Sequence, residues 1–321
     1  MPAQSVRIHE VSPRDGLQNE ADILSVDAKV ALIVDLVEAG LTDIEVTSFV
    51  HPRWIPQLAD AADVVARLPQ ADSVRYWGLV PNQRGLERAL DVGLRHVATF
   101  MSASEAHNRK NLNRTRRESI ANLRGVIAMA KDEDATVRAY ISTAFGCPYE
   151  GQVDPVHAVN TALALRDAGA DILALGDTTG MGNPQQVGVV IAAMVDAGIA
   201  LDSIALHLHD TRGTALANAL AGFQAGVRTF DGSVAGLGGC PYAPGASGNA
   251  ATEDLVHMFE SMGIQTRVEL DKLATAGLNL STTLGRELPG RYHRYHAGTC
   301  ATPELSGEDT AVPDQSKTES A

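Results

Sequence analysis

The stretch 203–210, SIALHLHD, shows the pattern that decides the fold, because a short apolar run in it ends in polar residues. Its length and aliphatic content predict a buried strand. Seven further runs of this kind occur along the chain. The eight predicted strands are residues 5–9, 43–49, 74–80, 96–101, 136–142, 171–176, 203–209 and 227–234.

Amphipathic or alanine-rich segments separate these runs, and their apolar spacing suits helices that pack on one face. The predicted helices are residues 26–38, 84–91, 118–131, 155–167, 184–196 and 213–224. Eight predicted strands with helical segments between them indicate an α/β fold, the (β/α)8 TIM barrel. A doubly wound open sheet is the alternative. Polar clusters follow six of the eight strands, whereas an open sheet would concentrate them at one crevice, so we favour the barrel.

The chain of 321 residues is predicted to form a single domain. The barrel domain covers residues 1–300, and its helical C-terminal extension begins at about residue 251. The tail, residues 301–321, is rich in Thr, Ser, Glu, Asp and Pro, so we expect it to be disordered.

Charge and cysteine content limit the partners and the compartment. The formal net charge of −13 argues against a nucleic-acid partner, which would need a basic surface. Cys147, Cys240 and Cys300 form no CxxC pair, so a reducing, cytoplasmic setting fits best. We expect neither an export signal nor a membrane span, because no apolar stretch is long enough.

His207 and His209 lie two residues apart at the end of the seventh strand, so both side chains should point into the barrel mouth. Two imidazoles on one face favour a metal-ligand pair over hydrogen-bonded core histidines. Asp15 follows the first strand and offers an oxygen ligand. This set suits Mg2+ or Mn2+, and the ligand types also fit Zn2+.

Charged residues next to or inside apolar strands need partners, because an unpaired buried charge is costly. Arg14 offers a fixed positive charge beside Asp15, or it closes a turn as an ion pair. Glu45 is predicted to hold Arg14. Asp177 is predicted to orient a histidine or a metal-bound water, and both carboxylates also admit a purely structural interpretation.

The Gly-rich segment 236–249 is the most unusual part of the chain. It lacks the third glycine of a dinucleotide-binding loop, because Pro241 stands there. Its glycines suggest a mobile loop that closes over a ligand, or else a loop that requires positive φ angles. Cys240 in this loop is a candidate proton donor or acceptor. GCPY also occurs at 146–149, so Cys147 is the natural comparison.

The chain resembles the 3-hydroxy-3-methylglutaryl-CoA lyase family of barrel metallolyases from about residue 6 to residue 278. Within the matching motifs, residues 233–242 are close to the family's own signature and are highly specific. The matches are 11–20 (VSPRDGLQNE), 47–50 (TSFV), 146–151 (GCPYEG), 207–211 (HLHDT) and 233–249 (SVAGLGGCPYAPGASGN).

This resemblance implies cleavage of 3-hydroxy-3-methylglutaryl-CoA to acetyl-CoA and acetoacetate, with Mg2+ or Mn2+ as the cofactor. It implies four metal ligands, and only Asn249 among them is not indicated by the residues alone. The implied catalytic residues are Arg14, which stabilises the enolate, together with Asp15, Glu45 and Cys240. The implied ligands are Asp15, His207, His209 and Asn249, and the implied substrate contacts are Arg14, Gln18, Ser48 and Asp177.

The implied partner is an acyl-CoA, and the basic run 107–117 contains Arg109 and Lys110, which are candidates for the CoA phosphates. The alternative interpretation is that this run binds no ligand and is a solvated loop followed by the start of a helix. Barrels of this type often pair, so a homodimer is the assembly that we would expect first.

Two departures from the family leave the acyl-chain specificity open. Ala21 stands where relatives often have lysine, and segment 284–296 differs from the animal enzymes. The alternatives are a lyase for longer 3-hydroxy-3-alkylglutaryl-CoA esters, a Claisen-type synthase and a non-catalytic metal- or CoA-binding barrel. A synthase would commonly add a regulatory domain, which we do not expect beyond about residue 300.

Overall fold

Eight parallel strands close into a barrel in the computed structural model, which describes residues 4–240 and 243–301. The barrel closes because β1 pairs with both β2 and β8. The predicted (β/α)8 barrel is confirmed. Its strands are β1 (Arg7–Glu10), β2 (Asp43–Ser48), β3 (Arg75–Leu79), β4 (His96–Ser102), β5 (Thr136–Ser142), β6 (Ile172–Asp177), β7 (Ile204–Leu208) and β8 (Thr229–Gly232).

Helices lie between the strands, and three more follow the barrel. They are α1 (Val26–Glu38), α2 (Ala61–Ala66), α3 (Gln83–Asp91), α4 (Glu105–Leu112), α5 (Arg116–Asp132), α6 (Pro155–Arg166), α7 (Pro184–Asp196), α8 (Ala215–Gln224), α9 (Thr252–Ser261), α10 (Leu270–Leu284) and α11 (Tyr292–Ala301). The six predicted helices are all present, and α1 and α7 have the predicted bounds.

The sequence patterns did not predict α2 and α4. The first is only six residues long. The second buries His107 and Asn108 instead of aliphatic residues, so it has no apolar periodicity. The interpretation of the basic run as a solvated loop and helix start was therefore wrong for its first half, which is helical.

Capping residues fix where several helices begin. The Thr115 side chain accepts a hydrogen bond from the Glu118 backbone N–H, and the Glu118 side chain accepts one from the Thr115 backbone. Asn183 and Gln186 form the same reciprocal pair at the start of α7, where Pro184 occupies the first turn. These arrangements satisfy backbone N–H groups that the helix itself leaves without partners.

The segment after β8 contains a two-stranded antiparallel ribbon that the sequence did not predict. It pairs β9 (Gly239–Cys240) with β10 (Ala243–Ser247). The expected helical segment from residue 252 onward is present as α9, α10 and α11. In the part of the chain that is described, no helix combines the length and apolar character needed to cross a membrane. The tail predicted to be disordered lies outside the described residues from residue 302 onward.

Glu10, at the end of β1, forms hydrogen bonds with three chain segments at the C-terminal end of the barrel. Its carboxylate accepts hydrogen bonds from the Ser12 N–H (2.8 Å), the Val234 N–H (3.0 Å) and the Thr252 hydroxyl (2.6 Å). Val234 lies just before the Gly-rich segment 236–249, and Thr252 lies just after it. One buried side chain thus holds both ends of that segment against the residues that follow β1.

Glu10→Gln should change how stability depends on pH. Burial raises the pKa of Glu10 from 4.5 to about 7, although hydrogen bonds from Thr252 and Ser12 act to lower it. The stability that the protonated group contributes is complete below pH 4.5 and is lost as the pH rises through 7. A glutamine does not ionise: its amide oxygen can accept from the Ser12 and Val234 N–H groups, and its NH2 can donate to the Thr252 hydroxyl oxygen.

We therefore expect the free energy of unfolding of the wild type to fall, relative to Glu10→Gln, by on the order of 3 kcal/mol between pH 4.5 and pH 8. Urea unfolding of both proteins across this range, in the presence of a chelator, measures the difference. A difference that stays constant with pH would show that the carboxyl group does not titrate as its burial predicts.

Candidate metal centre and active site

Three side chains from distant parts of the sequence meet at the C-terminal end of the barrel. Asp15 lies in the single helical turn Ser12–Gly16 after β1, His207 lies in β7, and His209 follows that strand. Each offers a ligand atom, and these atoms all lie within 4.8 Å of one another. The Nε2 atoms of the two histidines are 3.2 Å apart. Both imidazoles point to the same place, as their spacing predicted.

Asn249 lies beside this group. Its side-chain N–H donates to Asp15 Oδ2 (2.9 Å) and to the Leu237 carbonyl (3.2 Å). Its Oδ1 is buried and has no hydrogen-bond partner among residues 4–240 and 243–301. Gly238 permits this close approach, because its φ is +129° and a Cβ there would lie 2.6 Å from Asn249 Nδ2. An amide oxygen without a partner, next to a carboxylate and two imidazoles, fits a cation.

The protonation states of the group also fit a cation. Burial and the neighbouring His207 lower the pKa of His209 to about 3, so its imidazole is neutral at physiological pH. Burial acts to raise the pKa of Asp15, but Arg14 and the two histidines outweigh it and lower the pKa to about 2. A neutral imidazole and an ionised carboxylate are the forms that bind metals.

Arg14 is buried and held between two carboxylates. Its Nε donates to Glu45 Oε1, and its NH1 donates to Asp15 Oδ1. Glu45 also accepts a hydrogen bond from the Tyr140 hydroxyl (2.6 Å), and His9 Nε2 lies 3.5 Å from it. The predicted contact between Glu45 and Arg14 is confirmed. These contacts fix the guanidinium next to the ligand group.

Asp177 makes no hydrogen bond with a histidine of residues 4–240 and 243–301, and its alternative role of orienting a metal-bound water stays a prediction. Its carboxylate accepts hydrogen bonds from the backbone N–H groups of Met181 (2.9 Å) and Gly182 (3.1 Å), which stabilise the turn after β6. Burial raises its pKa to about 6, although these hydrogen bonds act against the shift. The carboxylate within hydrogen-bond distance of His207 is instead Asp231, whose Oδ2 lies 3.1 Å from His207 Nδ1.

Asp231, Arg138 and Tyr140 are site residues that the sequence analysis missed. Each is a polar residue within a predicted apolar strand, the same signal that identified Glu45. That signal was present for all three, but no pattern in the sequence shows which strand faces which across a barrel.

The predicted substrate contacts lie close to this group or at the ends of strands. Gln18 Nε2 lies 3.4 Å from Asp15 Oδ1. Ser48 is buried at the end of β2, where its hydroxyl accepts a hydrogen bond from the Val50 N–H.

The candidates for the CoA phosphates, Arg109 and Lys110, are exposed on α4, where Arg109 forms an ion pair with Glu105.

The two GCPY cysteines differ. The Cys147 thiol is fully buried and lies 3.0 Å from the Ser104 hydroxyl, so it belongs to the packed interior. The backbone of Cys240 is in β9, but its side chain lies outside the part of the chain that the structure describes. Gly236 and Gly238 have positive φ angles, as the loop interpretation of this segment required. Closure of the loop over a ligand stays a prediction.

The segment after α10 reaches the residues that follow β1. Arg286 donates to Glu20 Oε1 at 2.6 Å, and Glu20 ends the motif that contains Arg14 and Asp15. The segment that follows α10 is therefore in contact with the segment that carries the site.

Comparisons with known proteins agree with this geometry. The HMGL-like family model matches residues 5–278. A hydroxymethylglutaryl-CoA lyase of Bacillus subtilis is 51% identical over 288 residues, which cover 90% of this chain and 96% of that protein. The crystal structure of the B. subtilis HMG-CoA lyase has a TM-score of 0.90 at 50% identity, covering 92% of this chain and all of that one.

A second solved structure, hydroxymethylglutaryl-CoA lyase from Pseudomonas aeruginosa, has a TM-score of 0.91 at 41% identity and covers 93% of this chain and 100% of its own. The resemblance inferred from the motifs is thereby confirmed. This chain belongs to the HMGL-like family.

Proposed function

We propose that this protein cleaves 3-hydroxy-3-methylglutaryl-CoA to acetyl-CoA and acetoacetate, with a divalent cation held by Asp15, His207, His209 and Asn249. Membership of the family supports the reaction. The observation that carries the proposal is the meeting of the three ligand atoms within 4.8 Å, directly beside the buried Arg14. A protein that only bound a metal would not need this guanidinium.

Mg2+ or Mn2+ is the proposed cation. Asp15 and Asn249 offer hard oxygen ligands, and such ligands combined with imidazole suit these ions. When bound, the cation would supply Lewis-acid polarisation that lowers the pKa of the substrate's tertiary hydroxyl group.

Arg14 is placed to stabilise the charge that develops during cleavage. A base takes the hydroxyl proton, the C2–C3 bond breaks, and its electron pair passes to C2 as the enolate of acetyl-CoA. A proton added to C2 then completes acetyl-CoA, while C3 becomes the ketone carbon of acetoacetate. Because Glu45 and Asp15 hold the guanidinium in place beforehand, it does not need to reorganise as the enolate oxygen becomes charged.

Cys240 is the group that we propose to donate or accept a proton in this sequence, and Glu45 positions Arg14. Gln18, Ser48 and Asp177 are proposed as substrate contacts. Arg109 and Lys110 are proposed to meet the CoA phosphates, which a cationic and exposed helix surface would attract. The cytoplasmic location and the homodimer also stay predictions.

Activity should depend on added metal. Purified protein treated with a chelator is expected to release no acetoacetate from 3-hydroxy-3-methylglutaryl-CoA and to regain turnover with Mg2+ or Mn2+. Full activity in the chelated protein would contradict the metal-dependent mechanism. Metal-loaded protein that cleaves only longer 3-alkylglutaryl-CoA esters would change the proposed substrate.

His207→Ala should abolish tight metal binding, because it removes one imidazole from a group that offers two. Metal content after dialysis against Mn2+, measured by mass spectrometry, gives the result. His96→Ala is the matched control, since it removes a strand histidine that packs on Trp77 away from the ligand group. Equal metal loss in both variants would argue against His207 as a ligand.

Arg14→Ala should lower kcat by about 100- to 1,000-fold, the cost of removing one group that stabilises an oxyanion, and should leave the metal content unchanged. Arg14→Lys should recover little activity, because lysine cannot bridge Glu45 and Asp15 in the same geometry. Arg75→Ala is the control, since Arg75 pairs with Asp43 at the start of β2. Near-normal kcat in Arg14→Ala would refute the enolate-stabilising role.

A further inference from the structure

Asp231 and Arg138 form a buried ion pair that spans the barrel interior. Asp231 lies in β8 and Arg138 in β5, two strands that are not neighbours in the barrel. The guanidinium NH2 donates to Asp231 Oδ1. Arg138 has no exposed surface and Asp231 is 3% exposed, so water does not compete for these contacts.

The second oxygen of Asp231 faces a proposed metal ligand. Asp231 Oδ2 lies 3.1 Å from Nδ1 of His207, which occupies the neighbouring position in β7. The other ring nitrogen, Nε2, lies 3.2 Å from His209 Nε2 and 3.8 Å from Asp15 Oδ2. The ring thus has one nitrogen toward Asp231 and the other toward the proposed cation.

The ion pair decides which nitrogen of His207 carries the proton. A carboxylate that accepts from a buried guanidinium is ionised, so it can only accept a hydrogen bond from the imidazole. Nδ1 must therefore be the protonated nitrogen, and Nε2 keeps its lone pair. His209 differs, because its Nδ1 has no hydrogen-bond partner in the described part of the chain.

We propose that Asp231, held by Arg138, is a positioning residue that fixes the His207 ring and directs the lone pair of Nε2 to the cation. This role rests on the metal site proposed above and goes beyond it, since Asp231 itself is not a ligand. Substitution of a residue that orients a metal-bound histidine in this way commonly lowers metal affinity by about 10- to 100-fold.

Asp231→Asn tests the proposal because the amide has a preferred orientation. The amide oxygen should face Arg138, since the opposite orientation would place the amide NH2 against the N–H groups of the guanidinium. The amide NH2 then donates to His207 Nδ1, and the imidazole proton moves to Nε2. We expect Mn2+ affinity, measured from free Mn2+ by electron paramagnetic resonance, to fall about 10- to 100-fold.

Asp43→Asn is the matched control. Asp43 is also a buried carboxylate paired with an arginine, Arg75, and it accepts a hydrogen bond from Trp77 at the other end of the barrel. Because the Arg75 side chain is partly exposed, Asp43→Asn should cost less stability than Asp231→Asn, and it should leave Mn2+ affinity unchanged. A similar loss of affinity in both variants, or affinity within about twofold of the wild type in Asp231→Asn, would overturn the proposal.

The tautomer provides a readout that needs neither activity nor bound metal. Nitrogen-15 spectra of the histidine side chains in the metal-free wild type should show His207 protonated at Nδ1, and those of Asp231→Asn should show it protonated at Nε2. A wild-type ring protonated at Nε2 would overturn the role of Asp231, even if the variant failed to fold. Wild type that bound no Mn2+ would overturn the metal site, while the tautomer would still decide the role of Asp231.

Discussion

The pairing of charges inside the barrel is the constraint on which the site depends. Arg14 and Arg138 are both buried, and each faces an ionised carboxylate, Glu45 or Asp231. An uncompensated buried charge is strongly destabilising, by several kcal/mol, so each carboxylate helps to hold its arginine in place. The side chains that the mechanism needs are therefore fixed before any substrate arrives.

The segment that carries Asn249 is held by a second set of buried carboxylates. Glu253, in α9, accepts a hydrogen bond from the Ala235 N–H (2.9 Å), and its Oε1 lies 2.8 Å from His293 Nδ1 in α11. Glu10 supports the same segment from the β1 side. The C-terminal helices thus contribute to the site indirectly, because they fix the start of the loop whose far end places the Asn249 side chain beside Asp15.

The sequence predicted the barrel and most of its helices because the apolar runs alternate regularly with amphipathic segments. It also predicted that His207 and His209 share a face, since that follows from the two-residue period of a strand. The helix α4 was missed because it buries His107 and Asn108, and the β9–β10 ribbon was missed because its glycines and prolines are typical of an irregular loop.

Contacts across the barrel could not be predicted, and the two carboxylates Asp177 and Asp231 show why. Both follow apolar residues in a predicted strand, so the sequence gives them the same signal. Asp177 ends its strand next to a turn, where free backbone N–H groups satisfy it. Asp231 lies beside His207 in the register of β7 and β8 and opposite Arg138. The strand register and the closure of the barrel determine which partner each carboxylate meets. The sequence of a single strand specifies neither the register nor the closure.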